Sequence, residues 1–335
     1  MCVKWCPHCR LLQKRQNPYF DSHWDIDLFD RLLIIPEDAK KDLINRIKSK
    51  LQLKDFKEIR LLFIGCGTGR LELPLLKSLL ENSATIKQVH IVDVNKGFIE
   101  HLLSKISQMQ ELNQVEMYIH FTDIDTFLEN HIDLKFHIIT AFFVLYLSPQ
   151  WHLTCKKIFS NLEKNGYLLL AQEIGDFAMQ NKSDCINLSD KEKNSREKFL
   201  RLSSFIGEYY RSLYDLHSFV TLGILEVILR RFEAAKLIKL CYIEKCWKSS
   251  EVSFREYLSA MIGATLALAI GVEGPVKFRK AVWEKFKEDW SNDEEKCPRI
   301  EGHRVWIVQV KEPDKIMDLF LQSYYILLSQ IENKL

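Results

Sequence analysis

The chain has 335 residues, 47% of them hydrophobic and 27% charged, which is the composition of an ordinary soluble globular protein. Its 47 basic and 45 acidic residues leave a formal net charge of +2, so the chain as a whole has no strong attraction for nucleic acid. A chain of this length buries a large core without disulfides or metal, and we expect one large domain or a core with a sizeable insertion.

The nine cysteines are odd in number and are not spaced like a disulfide framework, which predicts a reducing, cytoplasmic compartment. Residues 1–15 contain no apolar stretch of the kind found in a signal peptide. The most apolar segment, 257–272, is short for a membrane span and is interrupted by polar residues and glycines. It predicts a buried helix, and we expect no membrane association.

Residues 59–171 alternate between short apolar runs and longer segments with helical spacing. The predicted strands are 59–64, 88–92, 116–120, 136–142 and 167–171, and the predicted helices are 71–80, 96–109 and 150–162. Such alternation is typical of βαβ units, in which a parallel sheet is covered by helices on both faces.

The pattern changes after residue 173. A polar, charged segment (176–201) precedes a helical pattern (205–232), a strand (236–245), two helices (254–268 and 275–290), a strand (304–310) and an amphipathic helix (314–332). We predict an α/β, Rossmann-like, mostly parallel seven-stranded sheet with helices on both faces and helical lid insertions. The expected divisions are an N-terminal helical, cysteine-rich segment (1–54), a core (55–175), a lid insertion (176–235) and a C-terminal completion of the sheet (236–335).

The sharpest local motif is Gly65-Cys-Gly67-Thr-Gly69, directly after the first core strand and before a helix. Glycines there allow a sharp turn and let the backbone lie against a ligand. A tight turn without a ligand is the alternative. A dinucleotide fingerprint requires a third glycine or alanine where this chain has Arg70, and the Gly-Lys-Ser/Thr of a phosphate loop is missing.

The turn resembles motif I of the class I S-adenosylmethionine-dependent methyltransferases. The likeness continues along residues 55–175, through a second strand that ends in Asp93, the segment Phe121-Thr-Asp123-Ile124, the fourth strand 136–146 and the turn 162–166 before the fifth strand. It implies that S-adenosylmethionine is the cofactor. The cofactor-binding residues that it implies are Gly65, Cys66, Gly67, Gly69, Asp93, Val94, Asp123, Ile124, Ala141 and Phe142.

Two of these acids have specific roles in the family. The resemblance implies that Asp93 accepts both ribose hydroxyls and that Asp123 bonds the adenine amino group. For Asp93, the alternative is a helix N-cap, a position for which Asn95 competes. The chain departs from the family at Phe63, where an acid usually helps to hold the methionine ammonium, and at His137, which replaces a common aspartate.

Methyl transfer from a sulfonium needs mainly positioning and the exclusion of water, and a general base is needed only for a protonated nucleophile. No motif identifies such a base. Tyr146, His152 and Glu173 are the catalytic candidates, because they follow the fourth and fifth strands, where the ligand crevice of an open α/β sheet lies. A structural role is the alternative for each of them.

Cys2, Cys6 and Cys9 form a separate motif at the N-terminus, Cys2-x3-Cys6-Pro-His-Cys9. Its spacing matches radical S-adenosylmethionine enzymes, but no barrel pattern surrounds it. A zinc knuckle, completed by His8 or His23, is the functional interpretation, and a free N-terminus is the alternative.

Three functions remain open. The first is methylation of a small molecule, enclosed by the aromatic and aliphatic insertions. The second is methylation of RNA or protein, with the cysteine-rich N-terminus and the basic residues Arg10, Lys14 and Arg15 as the recognition element. The third is a non-catalytic protein that keeps the fold.

Overall fold

A computed structural model describes most of the predicted core. It covers residues 3–5, 35–81, 85–145, 148, 150–173, 218–248, 252–253, 296–297 and 300–332, with isolated positions at 189–190, 197, 201 and 284–285.

The core is an eight-stranded sheet. Its strands are β1 (Val3–Trp5), β2 (Ile59–Ile64), β3 (Ile86–Asp93), β4 (Glu116–Phe121), β5 (Phe136–Phe142), β6 (Leu162–Glu173), β7 (Ile238–Lys248) and β10 (Ile300–Val310), in the order β1-β4-β3-β2-β5-β6-β10-β7. β10 is antiparallel to both of its neighbours, and the pairs from β1 to β6 are parallel. The short strands β8 (Val252–Ser253) and β9 (Lys296–Cys297) form a separate antiparallel pair.

Helices cover both faces of the sheet. They are α1 (Glu37–Lys50), α2 (Glu72–Leu80), α3 (Lys96–Ser107), α4 (Ile124–Asn130), α5 (Trp151–Ser160), α6 (Ser218–Ala234) and α7 (Pro313–Glu332). The first three pack in one apolar cluster and the other four in a second. β2 shows why the sheet lies between them, since Leu61 and Phe63 belong to the first cluster and Leu62 and Ile64 to the second. Side chains on alternate positions of a strand point to opposite faces.

The predicted sheet is confirmed, and β2 and β5 have the bounds expected from the sequence. β10 and α7 also lie where the sequence predicts a strand and a terminal helix. The described parts of the 205–232 helical pattern and the 236–245 strand correspond to α6 and β7.

The fifth parallel strand begins earlier than the sequence predicts. β6 starts at Leu162, whereas the apolar run predicted a start at residue 167. Phe136 pairs with Leu162, and the next paired residues are Ile138 and Tyr167, so the strand bulges between these two pairs. Asn165, inside the bulge, has a φ of +64°. A bulge of this kind resembles a turn in sequence, because it uses the same polar residues and glycine.

The eighth strand was not predicted as a strand. Val3–Trp5 pairs in parallel with Met117–Ile119 of β4 and so extends the edge of the sheet, although its sequence lies between two predicted zinc ligands. Cys2, Cys6 and Cys9 lie outside the described residues, as do the predicted helices 254–268 and 275–290 apart from residues 284–285. Among the described helices, none combines the length and apolar character needed to cross a membrane.

Candidate active site

A cavity of about 480 Å³ opens at the carboxyl ends of the parallel strands. Its wall includes Gly65 after β2, Asp93 at the end of β3, Asp123 after β4 and Phe142 at the end of β5. Ligands of open α/β sheets bind at this edge, where loops and helix N-termini converge. The fold therefore brings together segments that are separated by up to about 80 residues in the sequence.

Each glycine of the turn has a positive φ: +54° at Gly65, +53° at Gly67 and +73° at Gly69. L-residues rarely adopt this left-handed conformation. A Cβ at Gly65 would lie 2.3 Å from Val144 Cγ2, and one at Gly69 would lie 2.4 Å from Leu102 Cδ1. A Cβ at Gly67 would meet nothing closer than Phe98, at 3.8 Å. Packing explains the first and third glycines, whereas Gly67 borders open space in the cavity wall.

Asp93 supports this turn. One carboxylate oxygen accepts the Gly67 N–H at 2.9 Å, and the other accepts the Asn95 N–H at 2.8 Å. Asn95 is the N-cap of α3, accepting the Phe98 N–H, so the cap alternative for Asp93 is wrong. Burial raises the pKa of Asp93, and the backbone N–H donors oppose that shift. A carboxylate has about four acceptor sites, which leaves capacity for a ligand.

Asp123 and its neighbour Ile124 also line the cavity. Asp123 is the N-cap of α4: it accepts the Thr126 N–H at 2.8 Å and the Thr126 hydroxyl at 2.7 Å. Its side chain is exposed. The same exposed carboxylate therefore caps α4 and lines the cavity.

The other residues implied by the resemblance divide into two groups. Cys66, Val94 and Phe142 line the cavity, as does Gly67. Ala141 is buried in the second apolar cluster and is not among the described lining residues. Gly69 lies behind the turn, with its Cα facing Leu102 and Leu73.

Of the three catalytic candidates, His152 is the one whose side chain the structure describes. His152 stacks on Tyr324 of the terminal helix, with ring centroids 4.3 Å apart, and it is not among the lining residues. Burial lowers its pKa. The backbone of Glu173 pairs with His303 at the end of β6, while the Glu173 side chain and the whole of Tyr146 lie outside the described residues.

Two acids or bases near the cavity have no motif in the sequence. Glu72, the first residue of α2, lines the cavity and is only 3% exposed. His303 is buried behind Phe143, a lining residue whose ring centroid lies 4.4 Å from its own. Burial lowers the pKa of His303 well below its usual value. A polar residue at the first position of a helix with an apolar run was the available signal for Glu72.

No group of three or more His, Cys, Asp or Glu side chains within the described ranges is placed to hold a metal ion. The predicted zinc ligands Cys2, Cys6 and Cys9, with His8 and His23, fall outside those ranges.

Residues 62–168 match a family model described as a methyltransferase domain. Comparison with curated protein sequences gives no match. The chain is similar to a methyltransferase from Thiobacillus denitrificans solved with S-adenosyl-L-homocysteine, at 12% identity over 87% of this chain and 99% of that one, with a TM-score of 0.42. It is also similar to a cyclopropane synthase from Mycobacterium tuberculosis, at 15% identity over 88% and 92% of the two chains, with a TM-score of 0.41.

The matched segment spans β2 to β6 and contains the glycine turn, Asp93 and Asp123. Residues 62–168 therefore form a methyltransferase domain within a Rossmann-like, mostly parallel sheet.

Proposed function

We propose that the protein transfers the methyl group of S-adenosylmethionine to a small molecule. The observation that carries this proposal is the cavity at the carboxyl edge, in which an open backbone position, Gly67, adjoins the buried carboxylate of Asp93. A nucleoside with vicinal hydroxyls fits this pair, because the carboxylate accepts hydrogen bonds from hydroxyl groups and no Cβ blocks the approach. Asp123 supplies a hydrogen-bond acceptor for the adenine ring, and Ile124 supplies an apolar surface for it.

S-Adenosylmethionine supplies a methyl group on a positively charged sulfur. A nucleophile attacks the methyl carbon in line with the sulfur, which leaves as the neutral thioether. The residues of this chain bind the cofactor, orient it and exclude water from the reacting atoms. Asp93 would hold the ribose, Asp123 the adenine amino group, and Phe142 and Val144 would form part of the apolar wall. Positioning of this kind accounts for several kcal/mol of barrier reduction in enzymes generally.

The points at which two long segments join the sheet are the reason for proposing a small substrate. Residues 174–217 follow the end of β6, and residues 254–295 connect β8 to β9. Register places Glu173 of β6 and Lys245 of β7 opposite His303, so β6 and β7 end at the edge where the cavity opens. Both segments lie almost wholly outside the described residues, and enclosure of a substrate by them is part of the proposal. The lid insertion 176–235 and the C-terminal division 236–335 remain predictions.

Calorimetric titration tests the cofactor. We expect S-adenosyl-L-homocysteine to bind, and NADH to bind far more weakly or not at all; tighter binding of NADH would contradict the proposal. Incubation with tritiated S-adenosylmethionine and separate small-molecule, RNA and protein fractions then tests the substrate class. Label in the RNA or protein fraction, with none in small molecules, would favour the alternative in which the N-terminus and the basic residues Arg10, Lys14 and Arg15 recognise a polymer.

We further propose that Cys2, Cys6 and Cys9 bind zinc, on the basis of their spacing alone. Metal analysis of protein purified without chelator should find about one zinc per chain. The double variant Cys6→Ser with Cys9→Ser should lose the metal and keep its affinity for S-adenosyl-L-homocysteine. Metal-free protein whose cysteines alkylate freely would contradict a zinc site, and iron with acid-labile sulfide would indicate a cluster instead.

A further inference from the structure

Four carboxylates line the cavity, and each of them has partners in the protein. Asp93 accepts two backbone N–H groups, and Asp123 accepts two hydrogen bonds from Thr126. Asp125 accepts the Thr154 hydroxyl at 3.0 Å and bonds the Lys157 ammonium at 3.0 Å. The fourth, Glu72, lies beside the glycine turn and interacts with the backbone at Leu71 and at its own position.

Glu72 is buried in an environment that disfavours its charged form. Burial raises its pKa to about 8, the Asp93 carboxylate adds to the shift, and Arg70 with the two backbone hydrogen bonds opposes it. The carboxyl in turn raises the pKa of the neighbouring Cys66 thiol, after the larger effect of burial. An acid this deeply buried is costly to ionise unless a cation joins it.

The ligand proposed for this cavity carries such a cation. S-Adenosylmethionine and its product have an α-ammonium group at the end opposite the adenine, and the acids at Asp93 and Asp123 are assigned to the nucleoside. The position two residues before Gly65 is Phe63, which is 1% exposed and packs in the apolar cluster with α2. Phe63 therefore offers nothing to an ammonium, while Glu72 reaches the cavity from the start of α2.

We propose that Glu72 binds the α-ammonium of the cofactor's methionine part and loses its own proton to solvent as the ligand enters. The inference rests on the proposed function. The O–H bond of the Glu72 carboxyl breaks, the proton passes to the buffer, and the resulting carboxylate pairs with the ammonium, which keeps its charge. Arg70, on the same wall of the cavity, lies close enough to Glu72 to stabilise the ionised form.

The experiment compares two ligands by calorimetry. S-Adenosyl-L-homocysteine contains the ammonium, and 5′-methylthioadenosine has the same nucleoside and sulfur but no amino acid part. Titrations at pH 7 in two buffers of different ionisation enthalpy count the protons released. With a pKa of about 8, we expect wild-type protein to release close to one proton, roughly 0.9, with the first ligand and none with the second.

Glu72→Gln removes the charge and keeps the size of the side chain. It should weaken the binding of S-adenosyl-L-homocysteine by about tenfold or more and abolish the proton release. The affinity for 5′-methylthioadenosine should stay within about twofold of wild type. Glu72→Asp, a second variant that keeps the carboxyl, should retain proton release with a smaller loss of affinity. Thermal unfolding of each variant shows whether the fold survives.

Two results would overturn the role of Glu72. One is an equal loss of affinity for both ligands in Glu72→Gln, which would make Glu72 a support of the turn. The other is unchanged affinity for S-adenosyl-L-homocysteine with unchanged proton release. If wild-type protein binds neither nucleoside, the proposed function itself fails and this inference fails with it.

Discussion

The backbone N–H of Gly67 donates to Oδ2 of Asp93 at 2.9 Å, across 26 residues of sequence. This bond joins the turn after β2 to the end of the neighbouring strand β3. The same carboxylate accepts the N–H of Asn95, which caps α3. Asp93 thus fixes the two loops that form one wall of the cavity, in addition to any contact that it makes with a ligand.

Asp93→Ala should weaken the binding of S-adenosyl-L-homocysteine by about 1.5–3 kcal/mol, because it removes the charged acceptor of the ribose hydrogen bonds. The variant also leaves the N–H groups of Gly67 and Asn95 without their acceptor, so its melting temperature should fall as well. Asp93→Asn, which keeps one carbonyl oxygen, should lie between wild type and Ala in both measurements.

Calorimetry and thermal unfolding measure the two effects separately. Asp133→Ala is a matched control, because Asp133 is exposed and lies in the loop before β5. It should change neither quantity. If Asp93→Ala binds S-adenosyl-L-homocysteine within about twofold of wild type, Asp93 only supports the loops and the ribose is held elsewhere.

Gly65→Ala and Gly67→Ala form a second, paired prediction. Both replacements place an L-residue at positive φ, at a cost of about 1–2 kcal/mol. At Gly65 the new Cβ would also lie 2.3 Å from Val144, whereas at Gly67 the nearest atom is at 3.8 Å. Gly65→Ala should therefore lose more stability without ligand, and Gly67→Ala should lose more ligand affinity relative to its loss of stability.

Urea unfolding of the ligand-free proteins and calorimetric titration with S-adenosyl-L-homocysteine give the two numbers for each variant. Gly223→Ala is the control, since a Cβ there would meet no atom within 4 Å and Gly223 lies in helix α6. It should be neutral or slightly stabilising. Wild-type affinity in Gly67→Ala would show that no ligand approaches this backbone position.

Much of the sheet was predictable because its strands carry a strong local signal. β2 and β5 are mostly apolar runs whose side chains are buried on both faces of the sheet, so the sequence alone indicates their bounds. The glycine turn was also predictable, since three positive φ values within five residues leave glycine as the suitable residue. Asp93 ends one parallel strand and Asp123 follows the next, so the sequence also predicts that both lie at the carboxyl edge of the sheet.

The remaining features depend on contacts between distant parts of the chain. Glu72 has the sequence context of any acid in a first helical turn, and only the fold places it in the cavity. His152 follows the fourth parallel strand, yet its ring packs on Tyr324, 172 residues later in the chain. Val3–Trp5 is a strand because β4 leaves an edge to pair with, and three residues carry too little pattern to predict a strand.

A buried histidine pair on neighbouring strands provides the last prediction. His90 Nδ1 lies 3.0 Å from His120 Nε2, and the rings stack with centroids 5.2 Å apart. The pKa of His90 is lowered to about 4, chiefly by burial and next by His131, and that of His120 is lowered to about 3, by burial, His90 and His131. The charge of Arg60 also contributes to lowering the pKa of His90. Both rings are therefore neutral in the folded protein at physiological pH.

This pair should make the fold sensitive to mild acid. The folded pKa values lie below the unfolded value of about 6.5, so their contribution to stability is complete above that pH and is lost as the pH falls toward about 4 and 3. Between pH 8 and pH 5 the free energy of unfolding should fall by roughly 2–4 kcal/mol. Urea unfolding at several pH values measures this slope.

The double variant His90→Leu with His120→Leu should flatten the slope whatever its absolute stability, while His101→Gln, at a half-buried position in α3, should keep it. An unchanged slope in the double variant would assign the acid sensitivity to other groups.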